Sequence, residues 1–202
     1  MSTEIATRPS ARGRGLPILL GIVGLVIVLG LWFVSAGNRL VALQENVNTA
    51  WAQVETVLQR RFDLIPNLVS TVKGYAAHEK EILEEVTRLR SQWGAAKTPE
   101  EKAKTGSELE GVLSRLLVVS ENYPDLKASQ NFRDLQVELS GTENRVSVER
   151  QRYNEVVRTY NTAVRQFPAS LVASLRGFTM DKPYFEGTPA AQDAPKVDFT
   201  KP

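Results

Sequence analysis

Cysteine is absent from all 202 residues, which removes disulfides, thiol nucleophiles and thiolate metal sites together and leaves the redox compartment open. Histidine is almost absent as well. The single His78 opens the run His78-Glu79-Lys80-Glu81-Ile82, which begins as a zinc-protease helix does. Ile82 stands where the second ligand is needed, so His78 reads as a solvated turn residue. Excess charge of one sign is also missing: 25 Lys and Arg against 23 Asp and Glu give a net charge of +2, too little for a nucleic-acid footprint. No phosphate-cradling glycine loop or nucleophile elbow occurs. The paired acids Glu84-Glu85 and Glu100-Glu101 fall on expected helix surfaces or caps. These absences lead to the expectation of a protein that is not an enzyme and uses no cofactor or metal.

Charge is missing in one further place, and there it is informative. Leu16 to Ala36 contains no charged residue and consists mostly of Leu, Ile, Val and Gly. As a helix it has the length to cross a hydrocarbon core about 30 Å thick. A cleaved leader is the rival reading, since Val34-Ser35-Ala36 offers small residues to a signal peptidase, but the run exceeds the ~7–15 residue core of such leaders. A retained anchor is therefore expected. Arg8, Arg12 and Arg14 precede the span and only Arg39 follows closely, so the positive-inside rule places the N-terminus in the cytoplasm and the rest outside. Gly21, Gly24 and Gly30 lack the four-residue spacing of a dimerising span.

Beyond the span the pattern is helical. Leu40, Leu43, Val47, Ala50, Val54, Val57, Leu64, Leu68, Val72 and Tyr75 step by threes and fours apart from a gap at Arg61, predicting one long helix continuous with the anchor. Pro66 predicts a kink over residues 62–65. A turn near Gly74 to Glu81 leads into a second helix over residues 79–92. Thr98-Pro99-Glu100-Glu101 carries the cap, first-turn proline and capping-box glutamate of a third helix, with Leu109, Val112, Leu113, Leu116, Leu117 and Tyr123 along one face. Tyr123-Pro124-Asp125 ends it. A fourth helix runs over residues 129–167, where Phe132, Leu139, Val146, Tyr153, Tyr160 and Phe167 recur every seven residues like a coiled-coil seam. Its companion positions are apolar at both ends and polar in the middle. Within it Tyr153, Asn154, Val157 and Arg158 are repeated as Tyr160, Asn161, Val164 and Arg165, which puts each residue and its copy on one face, expected to touch other helices.

Short connections predict an all-α protein: an N-terminal transmembrane helix followed by an up-and-down antiparallel four-helix bundle with long first and last helices. Counting equal rises from the membrane sets Phe167 near Asn38 and Glu143 level with Arg61 and Phe62. The expected consequence is a polar layer in which Arg60 or Arg61 and Asp63 face Glu143, Asn144 or Arg145, with Asn67 and Asn154 in the same candidate set. Such a layer serves either structural register or the binding of a ligand or partner. The segment 168–185 has two readings: Leu171, Val172, Leu175, Phe178, Met180, Tyr184 and Phe185 either close the base of the bundle or dip into the membrane interface, aided by Arg176 and Lys182. The candidate interfacial set is Leu171, Leu175, Phe178, Tyr184 and Phe185.

Arg60-Arg61-Phe62-Asp63-Leu64-Ile65-Pro66-Asn67-Leu68-Val69, Glu121-Asn122-Tyr123-Pro124-Asp125-Leu126-Lys127, Gly141-Thr142-Glu143-Asn144-Arg145 and the stretch from Tyr153-Asn154 to Phe167-Pro168 together resemble the LemA family. The resemblance covers residues 20 to 186 in order, and the tail after Glu186 carries no motif of the family. It implies a bacterial single-pass membrane protein with a four-helix domain and no assigned biochemical activity; some relatives are associated with building specialised membrane compartments. The organisation expected is a cytoplasmic tail (1–15), a transmembrane helix (16–37), a bundle (38–186) and a disordered tail (187–202). The function expected is a scaffold or partner-binding protein of the bacterial cell envelope, or alternatively a ligand-sensing regulatory domain that uses the polar layer. Its partners would be membrane lipid through the N-terminal helix, and other envelope proteins or further copies of itself, without nucleic acid.

Overall fold

A computed structural model describes residues 15–178 and 181–185. Arg8, Arg12, Arg14, Met180 and the tail 187–202 lie outside the described residues. Among the described residues all regular structure is helical: α1 (Gly15–Asp63), α2 (Ile65–Tyr75), α3 (Lys80–Ala95), α4 (Pro99–Ser120), α5 (Pro124–Ala128), α6 (Gln130–Arg165) and α7 (Ala169–Arg176).

The anchor and the first bundle helix are one object. α1 begins with side chains that face outward without protein cover, such as Ile22, Leu25, Val28 and Leu31, and continues unbroken into residues that form the core, such as Leu40, Val47, Val54 and Leu58. Pro66 sits in the first turn of α2, where its missing N–H breaks no helical bond. The rod therefore interrupts at Leu64, inside the predicted kink, and resumes. α2 stops at Tyr75, which is exposed, and Ala76 takes the buried place expected for that ring.

Cross-helix pairs fix the remaining topology. α3 descends beside α2 until the Trp93 indole N–H donates to Gln59 Oε1 at 2.8 Å and stacks on Phe62, with ring centroids 4.6 Å apart. α4 turns upward through a full capping box between Thr98 and Glu101, whose carboxyl is held below its usual range by the backbone N–H groups of Lys97 and Thr98. Lys102 pairs with Glu55 near its start, and Arg115 pairs with Glu85 at 2.5 Å near its end. Gly106 lets α4 approach α1: a Cβ there would meet Leu58 Cδ2 at 3.0 Å, which accounts for a residue that disfavours helix by about 1 kcal/mol relative to Ala. Tyr123-Pro124-Asp125 does end α4, but it also opens the short α5, which buries Leu126 under the turn.

α6 then runs the length of the molecule antiparallel to α1, with Phe132, Val146, Tyr153, Val157, Tyr160 and Val164 buried. The expected seven-residue seam departs at two places. Leu139 is only half-buried, and Phe167 is 80% exposed because the helix ends at Arg165, before it. A straight helix also drifts ~20° per heptad, so Val157 and Val164 move into the core as the descent proceeds. Four rods (α1 with α2, α3, α4 and α6) make the membrane-distal head. Nearer the membrane α1 and α6 continue as a two-helix stalk, joined there by α7 and by the extended segment 181–185.

Candidate functional site

Within the head, α3 packs on α2 and α4, and α6 packs on α1, but α4 and α6 splay apart. The splay leaves a groove of about 390 Å³ with apolar walls of Leu113, Leu116, Phe132 and Leu139 and polar groups from Ser114, Gln136, Ser140 and Asn144. Val118 and Val137, on the two helices that flank it, are 72% and 73% exposed. Arg61 and Glu143 also line the groove, and they form an ion pair in which the Arg61 side chain is 5% exposed and that of Glu143 35%. Arg61 Nε is buried with no hydrogen-bond partner among the described residues. A guanidinium in that position depends on its carboxylate, because an unpaired buried charge carries a desolvation penalty of several kcal/mol.

The other candidates for the polar layer are placed differently. Arg60 is exposed and pairs with Glu138 at 2.9 Å, and Asp63 accepts a bond from Gln59 on the surface. Asn67 and Arg145 are exposed as well, and Asn144 reaches the groove from an exposed position. The buried layer is thus Arg61 with Glu143, next to the buried Thr142. Polar residues in the middle of α6 also include Arg150, which donates to Glu110 at 3.2 Å and to Ser107 Oγ at 3.4 Å, tying α6 to α4 at the edge of the groove that Glu110 lines.

Asn154 belongs to a second assembly, about three turns nearer the membrane than Glu143. Its side-chain amide donates to Phe185 O at 2.9 Å while its Oδ1 accepts from Phe185 N at 2.8 Å. Asn161 does the same for Lys182, at 2.9 and 2.8 Å. Arg165 holds Asp181. The repeat is metric: seven residues of helix rise about 10.5 Å, and three residues of extended chain span about 10 Å, so two asparagines a heptad apart meet every third residue of a strap. Tyr153, Tyr160, Val157 and Val164 bury the inner side of the same repeat. Part of that face therefore touches helices, as expected, and part touches extended chain.

At the upper end of the strap Phe185 stacks on Trp51 (centroids 5.8 Å apart, planes 13° apart) and meets Tyr153 edge-on at 5.3 Å, with the Arg150 guanidinium 5.3 Å from its ring centre. Burial first, and then the nearby Glu100 carboxylate, raise the Tyr153 phenol above its ordinary pKa, so it stays neutral. Among the residues expected at the membrane interface, Phe185 is committed to this cluster and Phe178 packs on the core. Leu171, Leu175 and Tyr184 are exposed. Sequence reasoning missed Trp51, Glu110 and the clamping role of the asparagines; the Asn154/Asn161 repeat was the available signal for the last.

An all-helical protein with an apolar helix long enough to cross a membrane, rooted in a bundle with a side groove, is the class that the fold defines. The chain belongs to the LemA family, whose profile matches residues 50–199. That match continues past Glu186, so the tail read as lacking family motifs is included up to residue 199. The chain is 25% identical to the magnetosome protein MamQ of Magnetospirillum gryphiswaldense, over 94% of this chain and 79% of that protein. It is 26% identical to the protein LemA of Metamycoplasma hominis, over 75% of this chain and 71% of the other. These relatives and the apolar helix support a membrane location.

Two expectations follow from the geometry. Glu143→Ala leaves Arg61 buried without its partner and should lower stability by ~3–5 kcal/mol, whereas Glu100→Ala at a surface position should change it by ~0–1 kcal/mol; equal midpoints in chemical denaturation would exclude the dependence. Asn154→Ala with Asn161→Ala removes both clamps, and the amides of Lys182 and Phe185 should lose hydrogen-exchange protection while core amides of α4 keep theirs. Retained protection at both strap amides would show that the strap is held by other contacts.

Proposed function

We propose that this protein is a membrane-anchored helical scaffold of the bacterial envelope, whose head binds a partner protein in the groove between α4 and α6. The observation that carries the reading is the continuity of α1, one helix from Gly15 to Asp63, which joins the apolar span to the core of the head without a hinge. Such a rod holds the head at a set height and orientation over the bilayer. The groove is mostly apolar and has polar groups within it, and the helices that border it each carry an exposed valine, the build of a surface that takes apolar side chains from another protein. Some relatives are magnetosome proteins, which agrees with a role in organising membrane.

Arg8, Arg12 and Arg14 before the span and Arg39 after it favour a cytoplasmic N-terminus and a head outside the cytoplasmic membrane. Ligand sensing is a second reading, favoured by the unpartnered Arg61 Nε beside the groove. In that case a bound small molecule would raise the melting temperature of the intact protein, and Arg61→Gln would abolish the rise.

A photo-crosslinking residue in place of Val137 should yield discrete adducts in living cells that are absent when it replaces Arg158 on the stalk. Ser140→Trp, which fills the groove, should suppress them. Identical adducts from both positions would sink the groove as a binding surface. Orientation is checked by fusing a reporter that works only outside the cytoplasm after Phe185; activity only from a cytoplasmic reporter would reverse the topology.

A further inference from the structure

α7 lies beside the end of the membrane span. The Arg176 guanidinium sits 5.9 Å from the ring centre of Phe33, a residue within the charge-free run, and a Cβ on Gly37 would collide with the same guanidinium. One side of α7 is used up in packing on α1 and α6: Val172 and Ala173 are 0% exposed, and Phe178 packs against the core just after the helix. The other side is bare. Leu171 and Leu175, four residues apart and hence on one face, are 56% and 77% exposed, and Phe167 at the entrance to the helix is 80% exposed.

We propose that α7 is an interfacial helix that sets Leu171, Leu175 and Phe167 into the leaflet from which α1 emerges, so that the protein grips the bilayer at two places. Single exposed leucines need no explanation, but three large exposed apolar side chains within nine residues, on a segment that packs beside the end of an exposed apolar span, call for an apolar medium. The medium is identified by position. The charge-free run of α1 ends at Ala36, its uncovered apolar side chains are continuous only up to Val34 with Val41 standing alone beyond, and α7 touches the same helix at Phe33 and Gly37, which is the depth of the headgroup boundary. Charge agrees with that depth: Arg165 is paired with Asp181, but Arg39, Arg176 and Lys182 also occupy the segments that meet there, and cations at this level attract anionic headgroups. The reading narrows the interfacial set from the sequence, because Phe178 and Phe185 are spent on protein contacts while Leu171 and Leu175 leave more than half of their surface uncovered. It rests on the membrane location of α1 and not on partner binding in the groove, so crosslinking from Val137 can fail while this proposal stands.

The full chain has no cysteine, which makes a single substituted thiol unique. The test uses Leu171→Cys, Leu175→Cys and, as a control on the exposed side of α6, Thr162→Cys. Each variant carries a nitroxide and is reconstituted in vesicles of phosphatidylethanolamine and phosphatidylglycerol. Collision of the nitroxide with oxygen, which concentrates in lipid, and with a water-soluble nickel chelate reports its surroundings. The expected result is a chelate accessibility at 171 and 175 at least roughly fivefold below that at 162, with oxygen accessibility raised, as for side chains in the acyl boundary. Equal chelate accessibility at all three positions would overturn the proposal. So would protection that disappears when the protein is diluted in excess lipid, since the face would then be covered by a second copy. Because both leucines are largely exposed, the thiols should leave the helical melting curve unchanged, and a Phe167→Cys label provides an independent reading from outside the helix.

Discussion

The register of α6 against α1 governs the rest of the molecule, and the ion pair between Arg61 and Glu143 is the contact that discriminates between registers. An apolar seam tolerates sliding, because one leucine hole resembles the next. A buried guanidinium does not tolerate it. Moving α6 by a single turn would carry Glu143 about 5 Å away and leave Arg61 without a counter-charge, at a penalty of several kcal/mol. With that level fixed, Arg150 reaches Glu110 and Ser107, Tyr153 meets Trp51, and the asparagines stand where the returning chain can find them. The pair does not need to be strongly stabilising in net terms to do this. Its effect is to make the alternatives worse.

The strap shows how a helix can order chain that has no secondary structure of its own. Each asparagine amide turns one N–H and its oxygen toward the strap, the complement of a single residue's backbone, so it substitutes for one rung of a β-ladder. Two such rungs at heptad spacing, with the Arg165–Asp181 pair below and the Phe185 ring stacked on Trp51 above, hold an extended pentapeptide along the α1/α6 stalk. The stalk has no cover from α3 or α4, whose lower ends stop near Trp93 and Thr98. The strap and α7 replace them, which explains how two long helices bury Tyr160, Val164 and Leu40 so far below the head.

Composition and periodicity determined the all-helical class, the single apolar span, the break before Pro66 and the capped start of α4, because each depends on residues close in sequence: a run without charge, a ring without an N–H, a Thr and a Glu three apart. The level of Glu143 against Arg61 was legible too, since two antiparallel helices share one rise per residue and a count from a common base suffices. Other features depended on the tertiary structure. Arg60 and Arg61 are chemically alike neighbours, and only the packed direction of each side chain sends one to the surface and the other into the core. Asn154 looked like part of the polar layer because both are polar and near each other in sequence. It was the placement of residues 181–185 alongside α6, which no periodic signal describes, that gave the repeated asparagines their partners. Phe178 and Leu175 are similarly apolar, and the structure covers the first while leaving the second bare. Hydrophobic pattern says that a residue favours leaving water, but only the arrangement of the whole chain decides whether protein or something else receives it.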